Sequence, residues 1–148
     1  TPRIIDPRNA FIMYDLLKEV IKNGTARKAK TLKRPDIAGK TGTTNDLMDA
    51  WFAGFNSDIV TVTWMGFDQP KSLGNKETGS RAALPIWIDY MRPLLKDYPI
   101  KNLVKPEGII PYKINKKTGM TNNADENGFY EYFYEEYPPF DNSYFVIN

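Results

Sequence analysis

From Asp6 the apolar positions fall at helical spacing: Met13, Leu16, Leu17, Val20 and Ile21 form one stripe, which Phe11, Ile12 and Tyr14 broaden. Asp6-Pro7 is a start signal, an acidic cap followed by proline at the first helical position, and Gly24 is a stop. This predicts an amphipathic helix with one buried face, and Thr25 is placed to cap a short second turn through Lys30. Ile37 to Thr44 then reads as a strand. After a turn at Asn45-Asp46-Leu47, Trp51, Ala53 and Phe55 alternate with Phe52 and Gly54 as a second strand. A third follows Asn56-Ser57-Asp58, where the β-branched run Ile59 to Thr63 leads through Trp64 to Phe67. Three strands with short connections predict an antiparallel meander whose first strand has a ligand-facing edge. Asp68 to Gly79 is a polar loop, and Ser80 is placed to cap a helix reaching 90–96. In that helix Leu84, Trp87, Ile88, Met91 and Leu95 would cover the inner face of the sheet, with Pro85 tolerated in the first turns. Past Tyr98-Pro99 the pattern becomes irregular. Asn115 to Gly119 predicts a hairpin turn, and Phe129 to Tyr137 interleaves aromatics with glutamates, a pattern we assign to packing. The expected fold is α+β, an antiparallel sheet with flanking helices over 1–97, followed by a small irregular appendage with short strands over 98–148.

Composition narrows the functional classes. With 41% hydrophobic and 14% aromatic residues in 148, the chain can bury a core. A net charge of +2 is too small to suggest nucleic acid as a partner. The basic run at Lys22, Arg27, Lys28, Lys30, Lys33 and Arg34, and the acidic character from Asp125 onward, read as solvated faces. The chain contains no histidine and no cysteine, which excludes imidazole or thiolate catalysis, disulfides and a zinc site; no cofactor or metal is expected. Catalysis, if present, must use hydroxyls, lysine, carboxylates and backbone amides. No apolar run approaches the roughly 20 residues that cross a bilayer, so membrane attachment is expected only through an anchor outside this chain.

The densest chemistry lies in Ile37-Ala38-Gly39-Lys40-Thr41-Gly42-Thr43-Thr44, where an apolar start leads into a cation, hydroxyls and glycines. On a strand, Lys40 and Gly42 point to one face while Gly39, Thr41 and Thr43 point to the other. At Gly42, with no Cβ, a ligand backbone could lie close. Gly-Lys-Thr also ends phosphate-binding loops, but the glycine needed five residues before Gly39 is Arg34, and Pro35 follows it, so nucleotide binding is set aside. Asn23-Gly24-Thr25 matches a glycosylation sequon, which we read as coincidence.

Lys40-Thr41-Gly42 is the Lys-Thr-Gly signature of penicillin-binding proteins and serine β-lactamases. Asn23-Gly24-Thr25-Ala26, Lys40 to Asn45, Asp49-Ala50-Trp51-Phe52-Ala53-Gly54, Trp64-Met65-Gly66 and Ala82 to Trp87 together resemble a class A, bifunctional penicillin-binding protein over residues 1–95. Ile114 to Met120 and Glu131-Tyr132-Phe133 are more faintly similar to the tail of such proteins. The resemblance implies the C-terminal part of a transpeptidase domain that cross-links peptidoglycan stem peptides through a serine acyl-enzyme and is acylated by β-lactams. It implies that Lys40 and the Thr43 amide are catalytic, and that Thr41, Gly42, Thr43 and Thr44 bind substrate. Asp49 and Trp51 also match family positions, but we read both as structural, Asp49 as an acid near a turn and Trp51 as a large core anchor. The implied setting is the bacterial envelope, at the periplasmic face of the cytoplasmic membrane, with a glycosyltransferase in the parent protein. The nucleophilic Ser-x-x-Lys is not in this sequence: Ser57, Ser72, Ser80 and Ser143 are followed three places on by Val60, Asn75, Ala83 and Val146. A Ser-x-Asn element is missing too. An upstream segment of the same domain is therefore the expected partner, and this chain alone is expected not to acylate. A β-lactamase or DD-carboxypeptidase of the same superfamily, or a non-catalytic wall-binding module, remains an alternative reading.

Overall fold

The computed structural model describes residues 4–121 and 128–139. The start of the lead-in at 1–3, the acidic positions Asp125 and Glu126, and Ser143 lie outside the described residues. By its contacts the chain forms two units, one of 13–103 and one of 1–12 with 104–148.

The first helix, α1, spans Pro7–Lys22. Its start follows the sequence signal, with the Arg8 N–H donating to Asp6 Oδ1 at 2.8 Å. Its buried face is shifted from the expected stripe. Phe11, Tyr14 and Ile21 are buried, whereas Met13 and Leu16 are each 47% exposed. Tyr14 decides the orientation in the larger unit: its ring packs on Phe55 at 6.1 Å and its hydroxyl donates to Asp36 O at 3.0 Å. Burial, with Asp36 and Asp15 nearby, pushes that phenol up to about 12, so it remains a donor at ordinary pH. Thr25 does not cap the next turn. The 3-10 segment Arg27–Leu32 begins after Ala26 without a side-chain cap, because the Thr25 hydroxyl is bonded to a strand instead.

Three strands follow, β1 (Ala38–Thr43), β2 (Ala50–Phe55) and β3 (Val60–Met65), in the order β1-β2-β3. Both pairings are antiparallel, with Thr41 opposite Phe52 and Phe52 opposite Thr63. The meander is the one expected, and among the described residues β1 lies at its edge. The second helix, α2 (Leu84–Leu94), lies on the inner face. Leu84, Trp87, Ile88, Met91 and Leu95 are all buried, as their spacing required. Trp87 meets Phe52 edge-to-face at 5.0 Å and donates its indole N–H to Thr61 O at 3.2 Å. The indole can lie this close because position 54 is glycine: a Cβ there would overlap the Trp87 ring.

Two expectations fail at this face. Trp51 is not a core anchor. It is 42% exposed, on the face opposite Phe52, and leans on Trp64 at 6.0 Å; the two-residue period of β2 sends Phe52 inward and Trp51 outward. Ser80 does not cap α2. Thr78 precedes a π-helical turn, Gly79–Ala83, that runs into the helix, and the Ser80 hydroxyl is bonded to that of Thr78 at 2.9 Å. Pro85 does fall in the first turn of α2.

In the smaller unit, β4 (Ile109–Ile114) pairs antiparallel with β5 (Phe129–Tyr134). Asn115 Oδ1 accepts the amides of Lys117 and Thr118 in the predicted turn, at 2.8 and 3.1 Å. Tyr132 meets Phe11 edge-to-face at 5.0 Å, and Arg8 bridges to Glu136 at 2.6 Å while lying over the Tyr134 ring. The aromatic and acidic alternation is thus used in packing and, through Glu136, in ion pairing. No helix among the described residues is long and apolar enough to cross a membrane.

Candidate active site

β1 owes its position to the chain just before it. Arg34 and Asp36 form a buried pair in which Nε and Nη2 of Arg34 donate to the two Asp36 carboxylate oxygens at 2.7 and 2.6 Å. The same guanidinium donates to the carbonyls of Leu95, Tyr98 and Pro99 beyond α2. The start of β1 is thereby fastened to the end of the helix that covers its inner face.

The hydrogen-bond ladder determines what the edge offers. The Thr44 N–H donates to Asp49 O at 3.1 Å, which makes that pair a hydrogen-bonded one. In an antiparallel ladder bonded and non-bonded pairs alternate. Gly42 and Lys40, opposite Trp51 and Ala53, therefore direct their N–H and C=O toward β2. Thr41 and Thr43 direct theirs away from it, to the edge, where no strand among the described residues pairs with β1. Side chains alternate the other way. Gly39, Thr41 and Thr43 share the inner face with Phe52, while Lys40 and Gly42 share the outer face with Trp51 and Ala53.

Lys40 and Thr43 are exposed, and Thr41 and Gly42 are partly so. The Lys40 ammonium donates to Thr41 O at 2.8 Å, so it bends onto the open edge. The Thr41 and Thr25 hydroxyls lie 2.7 Å apart. The Thr43 hydroxyl oxygen accepts the Gly79 N–H at 3.0 Å. Thr44 is placed differently. Its hydroxyl accepts the Asp49 N–H at 2.8 Å and its carbonyl the Leu47 N–H at 3.3 Å, so hydroxyl, amide and carbonyl all serve the β1–β2 turn. Asp49 also accepts the Trp64 indole N–H at 2.9 Å, a structural use. Lys40, Thr41, Gly42 and Thr43 are thus brought to one strand margin, with Thr44 closing the turn behind them.

Thr25 and Gly79 are two contributors that pattern reading misses. Thr25 belongs to the Asn23-Gly24-Thr25-Ala26 segment, so its signal was present, but nothing in the spacing tied it to Thr41. Gly79 has no local signal. It lies against the ladder so closely that a Cβ would overlap the carbonyl oxygens of Gly42 and Trp51. A cleft of about 480 Å³ lies elsewhere, lined by Asp15, Lys18, Lys30, Lys33, Ile21 and Ile37 among others, and none of Lys40 to Thr44 lines it. Among the described residues no cluster of three or more acidic side chains could hold a metal.

No protein-family model matches the chain. Penicillin-binding protein 1A of Pseudomonas aeruginosa is 51% identical to it over 138 residues, 93% of this chain and 17% of that protein. The chain belongs to the penicillin-binding proteins. Penicillin-binding protein 1A of Neisseria lactamica is 55% identical over 109 residues, 74% of this chain and 14% of that protein. The crystal structure of penicillin-binding protein 1A from Haemophilus influenzae superposes with a TM-score of 0.87 at 37% identity, covering 95% of this chain and 22% of that one. The chain therefore spans about a sixth of the length of its curated penicillin-binding relatives, and its α+β fold is that of the corresponding part of the solved penicillin-binding protein.

Proposed function

We propose that this chain supplies the substrate-binding strand of a serine DD-transpeptidase that cross-links peptidoglycan stem peptides and is acylated by β-lactams. Acyl transfer needs a nucleophile, a base, donors for the tetrahedral oxyanion and a site for the terminal carboxylate. The free edge of β1 is the observation that carries this reading. The outward Thr43 N–H is one oxyanion donor, completed by the amide of a serine on polypeptide outside this chain. The Thr41 and Thr43 hydroxyls hold the substrate carboxylate, and the Lys40 charge attracts it and assists proton movement near the nucleophile. An extended stem peptide adds to β1 as a further strand, oriented by the outward groups of Thr41 and Thr43. The working partner is the segment carrying Ser-x-x-Lys, in an envelope protein at the periplasmic face of the cytoplasmic membrane.

The test is covalent labelling with a fluorescent penicillin. The chain alone is expected to give no adduct, and the polypeptide joining it to the serine-bearing segment to give a stoichiometric one. In the joined protein Lys40→Ala should slow acylation by at least about a hundredfold, the scale of a lost charge-stabilising group. Labelling of the isolated chain, or a near-normal rate for Lys40→Ala, would refute the assignment.

A further inference from the structure

We propose that Thr25 is a positioning residue for carboxylate binding at the β1 edge, acting by fixing the direction in which the Thr41 hydroxyl proton points. This rests on the transpeptidase reading above and adds a residue outside the strand to it.

The Thr25 and Thr41 hydroxyls carry two protons between them and share one hydrogen bond. Thr25 Oγ1 and Thr41 Oγ1 lie 2.7 Å apart, so one of their two hydroxyl protons occupies the bond between them. The other is left free. If Thr25 donates, the free proton is on Thr41, beside the outward Thr41 N–H; if Thr41 donates, it is on Thr25. An anion at the edge selects the first arrangement, because the Thr41 proton and the amide then both face it. Thr43 reaches the same state by another route. Its oxygen accepts the Gly79 N–H at 3.0 Å, which leaves its own proton to donate. Thr41 and Thr43 lie two positions apart on one face of β1, roughly 6.6 Å along the strand, a separation that the two oxygens of one carboxylate can bridge. Each hydroxyl is thus an acceptor toward the protein and a donor toward the edge. Without Thr25, the Thr41 hydroxyl is free to turn its proton to another acceptor, and part of its population no longer faces the ligand.

A merely structural Thr25 and a carboxylate-positioning Thr25 differ in selectivity. The experiment compares second-order acylation by benzylpenicillin with that by benzylpenicillin methyl ester, in the polypeptide joining this chain to the serine-bearing segment. Thr25→Val, which keeps the shape and removes the hydroxyl, should slow the free acid about tenfold, as for one oriented hydrogen bond to a charge, and the ester less than twofold. Thr25→Ser should hold both rates within twofold of the parent. An equal loss for acid and ester, or no loss for either, would overturn the role of Thr25 while the unsubstituted protein still acylates and supports the transpeptidase reading. Failure of the unsubstituted protein to acylate would remove both.

Discussion

Replacing Arg34 with alanine tests how β1 is held, and its effect can be worked from the contacts. All five guanidinium N–H groups are used, two on Asp36 and one each on the carbonyls of Leu95, Tyr98 and Pro99. The Tyr98 and Pro99 carbonyls lie at an exposed turn and are rehydrated in the variant. Asp36 is not, because its side chain is fully buried. Removing one partner of a buried ion pair costs about 3–5 kcal/mol, since the remaining charge is uncompensated. The pH dependence identifies the cause. In the parent, burial alone raises the Asp36 carboxyl, but the Arg34 hydrogen bonds, the Lys101 amide and the guanidinium charge outweigh it and hold the group below 3.8. Its contribution is therefore complete above that value and lost only as the pH falls through the lower folded one. In Arg34→Ala the burial remains while its principal counterweight is gone, so the carboxyl shifts upward and protonation relieves the strain. Urea unfolding followed by tryptophan fluorescence should show a deficit of about 3–5 kcal/mol at pH 7 that shrinks toward pH 4.5, by up to about 1.4 kcal/mol per pH unit. A deficit that does not change with pH would refute the buried-charge explanation, and a deficit under 1 kcal/mol would refute the claim that this pair anchors the strand.

Further outcomes follow from the same contacts. Gly79→Ala must push the π-helical turn off the β1–β2 ladder, since its Cβ would overlap two carbonyl oxygens; penicillin acylation of the joined protein should fall by at least about a hundredfold. An acylation rate within a factor of a few of the parent would show that β1 does not depend on this contact. Trp87→Ala leaves a cavity over Phe52 and Gly54 and should cost about 3–5 kcal/mol in the same unfolding assay; less than 1 kcal/mol would mean that the core lies elsewhere.

The legible features of this fold are those governed by local periodicity. The α2 stripe from Leu84 to Leu95 is buried residue for residue, because a helix over a sheet must present one face. The meander and its open first edge follow from short polar connections between β-rich runs, and Asp6-Pro7 marks the start of α1. The misjudged features depend on partners distant in sequence. Trp51 follows the strand period correctly, but large size suggested burial, whereas the outer face keeps it half exposed beside Trp64. Met13 and Leu16 fit a helical stripe, but Tyr14 and its contacts with Phe55 and Asp36 set the rotation of α1. At the candidate site, Lys40 to Thr43 stood out as a run of chemistry on one strand. The bonds of Thr25 to Thr41 and of Gly79 to Thr43 join residues 16 and 36 positions apart, and no local pattern encodes them.

The central claim is that the outward amide of Thr43 receives the oxyanion at an open strand edge. A crystal structure of the joined protein acylated by benzylpenicillin measures this directly. The account predicts the acyl carbonyl oxygen about 2.7–3.1 Å from Thr43 N, with the ligand carboxylate against the Thr41 and Thr43 hydroxyls. An acyl group seated away from β1, or a Thr43 amide already bonded to another segment of the protein, would contradict it.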